Sequence, residues 1–197
     1  SWHTLATVSI VDGTLTVTLS EGSNANLYVV ADAVRIERVT SDSPTDPPAD
    51  PVTPPADDPP VNDPVGSAQI LDNGDAGFTQ TGFTYMNIDQ VAGALNGDIH
   101  YVRGGSGIAT WTFDNLESGD YRVATTWQGR YENRYNATDA PYAVLDGTGN
   151  LLSSANVDQS VVPSAFEADG RSWHTLATVS VVDGTLTVTL REGSNAN

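Results

Sequence analysis

Residues 172–197 read SWHTLATVSVVDGTLTVTLREGSNAN, and residues 1–26 read the same except at two positions. In TLTVTL, residues 185–190, apolar residues alternate with threonines. A period of two is typical of a β-strand that buries one face. Asp183-Gly184 just before it is a turn signal. With a preceding strand at residues 176–182, the segment predicts a β-hairpin.

The repeated segment also defines the organisation of the chain. The two copies are offset by 172 − 1 = 171 residues, and they differ at Ile10 against Val181 and at Ser20 against Arg191. A period of 171 residues exceeds that of any solenoid, so each repeat comprises a whole domain plus a spacer. The sequence is therefore predicted to be a segment of a tandem array that begins and ends within a domain.

Thr40–Ser67 has the composition of a spacer. It holds nine of the eleven prolines and six aspartates, with no aromatic residue, Lys or Arg. Such a segment predicts a disordered or polyproline II linker that reaches roughly 85 Å when extended. Mixtures of Ser, Thr and Pro are also typical of O-glycosylated stalks. The candidate glycosylation sites in the linker are Ser41, Ser43, Thr45 and Thr53.

These boundaries give three parts. Residues 1–39 are the C-terminal part of one β-sandwich repeat, residues 40–67 are the Pro/Asp-rich linker, and residues 68–197 are the next repeat without its last strand. The missing strand corresponds to LYVVADAVRIERV, residues 27–39. A covalent polymer is the favoured interpretation, and strand exchange between molecules is the alternative. The residues predicted to complete a neighbouring domain are Leu27, Tyr28, Val29, Val30, Ala31, Asp32, Ala33 and Val34.

Other segments repeat the β pattern. Residues 108–113 alternate and, with residues 121–127 after a Ser-Gly-Asp turn, predict a second hairpin. Residues 140–145 predict a further strand, and no window has sustained helical periodicity. The predicted fold is an all-β sandwich of jelly-roll kind.

The charge and composition of the chain limit the classes of partner that it can bind. The formal net charge is −17 and there is no cysteine. An acidic chain repels phosphates, so we expect no nucleic-acid partner. No apolar run is long enough to cross a bilayer, so we expect no membrane insertion.

Three segments carry a family resemblance: LDNGDAGF at residues 71–78, ATDAPYAV at residues 137–144 and VADAVR at residues 30–35. With the ATWTF and YRVATTW strands and Val157-Asp158-Gln159, the unit resembles golvesin C-terminal-like domains. These are also called xanthan-lyase carbohydrate-binding-like domains. The resemblance covers nearly all of the 143-residue unit. It implies a non-catalytic β-sandwich module of secreted bacterial proteins, with a suggested carbohydrate-binding role.

The loop at residues 128–138 is the candidate binding site. Long loops on rigid sandwiches commonly carry binding residues, and aromatic faces stack on sugar rings. The candidate carbohydrate-binding residues are Arg130, Tyr131, Arg134 and Tyr135. Trp111 and Trp127 lie in alternating strand patterns, which favours core positions for both.

Two further motifs have alternative interpretations. Asn136-Ala137-Thr138 is the only N-glycosylation sequon, so Asn136 is a glycosylation candidate. In DNGDAG, residues 72–77, Asp72 and Asp75 are calcium candidates, but the segment lacks the ligand order of an EF-hand. An Asx-type turn with glycines at positive φ is favoured there, and no cofactor is expected.

These observations predict a structural protein. No nucleophile elbow or marked carboxylate pair is present, so we expect no enzyme. The predicted function is a repeat unit of an extracellular bacterial filament or surface fibre, whose partners are copies of itself joined or completed head to tail. The alternative is a carbohydrate-binding module of a secreted polysaccharide-active protein or adhesin, with glycans as partners. Either function predicts a secreted or cell-surface location.

Overall fold

The structure is a computed structural model that describes residues 15–20, 27–39, 68–87, 94–104, 106–128, 136–182 and 184–191. These residues form β-strands, with one turn of 3-10 helix at Leu95–Gly97. The strands are β1 (Leu15–Ser20), β2 (Val29–Ala31), β3 (Ala33–Val39), β4 (Gln69–Leu71), β5 (Phe78–Thr81), β6 (Thr84–Asn87), β7 (Asp98–Val102), β8 (Ile108–Phe113), β9 (Gly119–Thr126), β10 (Ala140–Asp146), β11 (Leu151–Val157), β12 (Phe166–Ala168), β13 (Arg171–Val181) and β14 (Leu186–Arg191).

The strands form three sheets. One sheet has the order β11-β10-β1-β14-β8-β5, the second β12-β13-β9-β3-β4 and the third β2-β7-β6. Apolar residues of all three sheets share one buried cluster, which includes Trp111, Val123, Tyr142 and Val188. The prediction of an all-β sandwich is confirmed. The Pro/Asp-rich linker lies outside the described residues.

Both predicted hairpins are wrong, although their strands exist. β13 pairs with β9 and β12, whereas β14 pairs with β10, β1 and β8. β8 and β9 likewise lie in different sheets. In both cases the chain crosses from one sheet to the other between the two strands. The apolar residues of the two strands then pack against each other across the core. In a hairpin, both strands would lie in the same sheet and could not face each other in this way. The two crossings contact each other, since the N–H of Leu116 donates to the carbonyl of Gly184 at 2.7 Å.

The two copies of the repeated strand take one register in the structure. β14 lies antiparallel to β10, with Val188 opposite Val144. β1 also lies antiparallel to β10, with Val17 opposite Val144. β1 runs parallel to β14, with each residue beside its own counterpart. Both copies of the strand therefore pair with the same residues of β10.

Candidate assembly site

Residues 27–39 occupy the interior of the sandwich formed by residues 68–191. β3 has β9 on one side and β4 on the other. Its residues Val34 and Ile36 are fully buried. β2 pairs with β7 at the neighbouring sheet. Removing a strand that is flanked on both edges would expose two rows of backbone hydrogen-bonding groups, so the segment is an integral part of this sandwich.

Gln159 anchors β2 through its side chain. Its Nε2 donates to the carbonyl of Val30 at 2.7 Å, and its Oε1 accepts from the N–H of Val30 at 2.9 Å. The same Nε2 contacts the hydroxyl of Tyr142 at 3.1 Å. Gln159 is fully buried. The amide therefore replaces a strand neighbour for Val30 and satisfies both of its backbone groups.

Asn136 extends this anchor to the start of the segment. Its Nδ2 donates to the carbonyls of Gln128 and Gln159, each at 3.1 Å. The N–H of the next residue, Ala137, donates to the carbonyl of Tyr28 at 2.8 Å. Asn136 is buried, and its sequon nitrogen makes both of these hydrogen bonds. A glycan on Asn136 would have to replace them.

An ion cluster fixes β3 to β9 and to the turn after β12. Arg35 donates from Nη1 to Glu37 at 3.0 Å and from Nε to Asp169 at 2.9 Å. Arg122 of β9 also pairs with Glu37. Although burial opposes the charge on Glu37, the two guanidinium groups lower the pKa of this carboxyl. The ring of Phe166 has its centroid 3.9 Å from Arg122 Cζ and 5.6 Å from Arg35 Cζ, within the range of cation–π contacts.

Asp32 is buried between β2 and β3. Its carboxylate accepts from the N–H of Leu95 at 3.0 Å and 3.3 Å. The partner of this carboxylate is therefore a backbone donor, while Arg35 pairs with Glu37 and Asp169. Burial raises the pKa of Asp32 well above its usual value, and the hydrogen bond from Leu95 opposes that shift.

The two calcium candidates lie in a turn between β4 and β5. The N–H of Asp72 donates to Oδ2 of Asp75 at 2.8 Å, and Asp72 Oδ2 accepts from Asn96 at 2.8 Å. The expected positive φ at the turn glycines is wrong. At Gly77 a Cβ would lie 2.7 Å from the carbonyl oxygen of Thr112, so close approach explains that glycine. In the part of the chain that the structure describes, no group of three or more His, Asp or Glu could hold a metal ion.

Replacing Asp72 with asparagine is expected to stabilise the protein at neutral pH. Burial raises the pKa of Asp72 to about 6. This carboxyl therefore contributes stability fully below pH 4 and loses it as pH rises through 6. D72N keeps an acceptor for Asn96 without the buried charge, so we expect a gain of about 1–3 kcal/mol at pH 7.5 and none near pH 4. Chemical denaturation at pH 7.5 and at pH 4 measures the change in the free energy of unfolding. D114N, at an exposed aspartate, is the control. A D72N protein that is less stable at pH 7.5 contradicts the prediction.

Several predicted site residues lie outside the described residues. These are Arg130, Tyr131, Arg134, Tyr135, Ser41, Ser43, Thr45 and Thr53. The tryptophans at 111, 127 and 173 are buried, and the predicted core positions of Trp111 and Trp127 are confirmed. The anchoring role of Gln159 has no local signal in the sequence, since its partner Val30 lies 129 residues away along the chain.

Among the described residues, no helix is long and apolar enough to span a membrane. No protein family, curated protein or solved structure matches this chain.

Proposed function

We propose that the chain is a structural repeat unit of an extracellular bacterial filament or surface fibre, with β-sandwich domains joined or completed head to tail. The observation that carries this proposal is the position of β2 and β3 inside the sandwich of residues 68–191. In the repeat order, their counterparts would follow residue 197, since 27 + 171 = 198. Residues 27–39 come before the linker in the sequence. In the structure they nevertheless occupy the position of the last strands of the unit that comes after the linker.

The length of the linker allows completion between units as well as within one molecule. The two strands are antiparallel neighbours, with Ile36 opposite Gln69. Within one molecule, residues 40–67 must therefore return to the strand beside the one they leave. A 143-residue domain is roughly 35–40 Å across, whereas an extended 28-residue Pro-rich linker reaches roughly 85 Å. The linker is thus long enough to carry residues 27–39 to a second sandwich.

The contacts around β2 and β3 support a specific junction. Gln159 recognises the backbone of Val30, while Arg122 and Asp169 recognise the charged pair on β3. Backbone pairing gives affinity in strand addition, and side-chain contacts fix the register. A segment with both kinds of contact can complete a sandwich from another repeat in a single register.

The test uses native material from cells. We expect immunogold labelling to follow extracellular fibres, and the denatured chain to have a mass many times 20.7 kDa when the array is covalent. A 20.7 kDa denatured chain within labelled fibres would indicate completion between separate chains. Loss of mass on chemical deglycosylation would support a decorated linker. Label confined to the cell interior, or only free monomers in the medium, would overturn the proposal.

A further inference from the structure

β1 and β14 compete for one position. One edge of β10 pairs with β11, with Ala140 opposite Val157. A strand has two hydrogen-bonding edges, so one edge remains for both β1 and β14. They take it in the same register, because residues 16–19 and 187–190 face the same four residues of β10. Because each backbone group on this edge serves one neighbouring strand, only one of the two strands can form the full ladder with β10 at a time.

Both strands reach this position from a neighbour that is already in the sandwich. β14 follows β13 through residues 182–185, and β1 precedes β2 through residues 21–26. The sequence EGSNAN of residues 21–26 recurs at residues 192–197. The link between β1 and β2 is therefore the native link of the repeat, and either strand can fill the position without a change in connection.

The two strands also have the same apolar residues in the same order. Leu186, Val188 and Leu190 of β14 are fully buried. β1 has Leu, Val and Leu at the corresponding positions 15, 17 and 19. Within the strands, the copies differ only at Ser20 and Arg191, and Arg191 is exposed. Exchanging β14 for β1 would thus leave the buried apolar surface unchanged.

We propose that the edge of β10 is a strand-exchange site, and that its partner is the strand LTVTL from a second copy of this repeat. When β2 and β3 of one copy complete the sandwich of another, β1 enters with them and displaces β14. The junction between copies then contains three strands instead of two. This step between copies rests on the proposed head-to-tail assembly, whereas the equivalence of β1 and β14 does not.

Engineered cysteines test the exchange in the full chain, which contains no cysteine of its own. Thr18 and Thr189 both lie opposite Ala143 on β10. Facing residues of antiparallel strands are close enough for a disulfide. We expect A143C to form a disulfide with T18C as well as with T189C under mild oxidation. A disulfide with T189C alone would overturn the inference, and T79C, on the distant strand β5, should not link to T18C.

Mixed chains separate this inference from the proposed function. Chains carrying A143C and chains carrying T18C are unfolded, mixed, refolded and oxidised, and the linked peptides are identified by mass. A link between residues 18 and 143 of different chains is the expected result. Fibres in native material, together with no disulfide between the mixed A143C and T18C chains, would overturn the inference and leave the proposed function intact. The link in the absence of native fibres would support the exchange and overturn the proposed function.

Unfolding experiments give a second readout. V188D places a charge at a fully buried position of β14, and V17D makes the same change in β1. We expect each single variant to keep a cooperative transition, because the other strand fills the position, and the double variant to lose it. A V188D protein that is already unfolded, or a double variant that is as stable as the singles, would overturn the inference.

Discussion

Replacing Gln159 with leucine is expected to destabilise the protein by about 3–5 kcal/mol, because it leaves both backbone groups of Val30 unpaired in the core. Each lost partner of a buried polar group costs roughly 1–3 kcal/mol. Val30 and Gln159 are 1% and 0% exposed, so water cannot replace the amide without rearrangement of β2. Chemical denaturation of the full chain measures the loss.

Two comparison variants make the Gln159 prediction specific. N156L changes an exposed amide on β11 to the same residue, and we expect a change within about 0.5 kcal/mol. In Q159E, a protonated carboxyl can donate to Val30 where an ionised one cannot. We therefore expect Q159E to recover stability on acidification, while Q159L does not. Equal stability of Q159L and N156L would contradict the anchoring role of Gln159.

Replacing Arg35 with methionine is expected to destabilise the protein by about 2–4 kcal/mol, because it leaves Glu37 and Asp169 without a shared partner. Arg35 and Glu37 are buried, and breaking a buried pair costs more than the pair itself contributes. Arg122 still pairs with Glu37, which keeps the loss below that of a fully isolated charge. Thermal or chemical unfolding at pH 7 measures it.

The same strand provides the control for Arg35. Arg38 pairs with Glu117 at 3.0 Å, but their side chains are 40% and 80% exposed. An exposed ion pair contributes roughly 0–1 kcal/mol, so we expect R38M to cost far less than R35M. An R35M protein no less stable than R38M would show that the cluster at β3 is not a major anchor.

The sequence predicted the strands better than their partners. Alternation in residues 185–190 and 108–113 reflects a property of each strand, and the structure has β14 and β8 there. Which sheet a strand joins depends on where the apolar faces meet in three dimensions. Asp183-Gly184 therefore indicated a change of chain direction but could not distinguish a hairpin from a crossing between sheets.

In the candidate site, too, contacts within one strand could be predicted from the sequence better than contacts between distant segments. Residues 35 and 37 lie on one face of β3 because side chains alternate along a strand, so Arg35 meets Glu37 and turns away from Asp32. Alternation could have suggested this pair from the sequence. The contacts of Gln159 with Val30 could not be predicted, since they depend on the packing of segments more than a hundred residues apart.

The central position of β3 determines how the junction would respond to mechanical load. In a fibre built as proposed, tension in the linker reaches the sandwich at Val39, where β3 ends. A pull along the strand axis would shear the hydrogen bonds to β9 and β4 on both sides together. Bonds loaded in parallel resist together, whereas bonds opened from one end fail in succession. Under such a pull, the junction of the proposed fibre would resist with both sets of bonds at once.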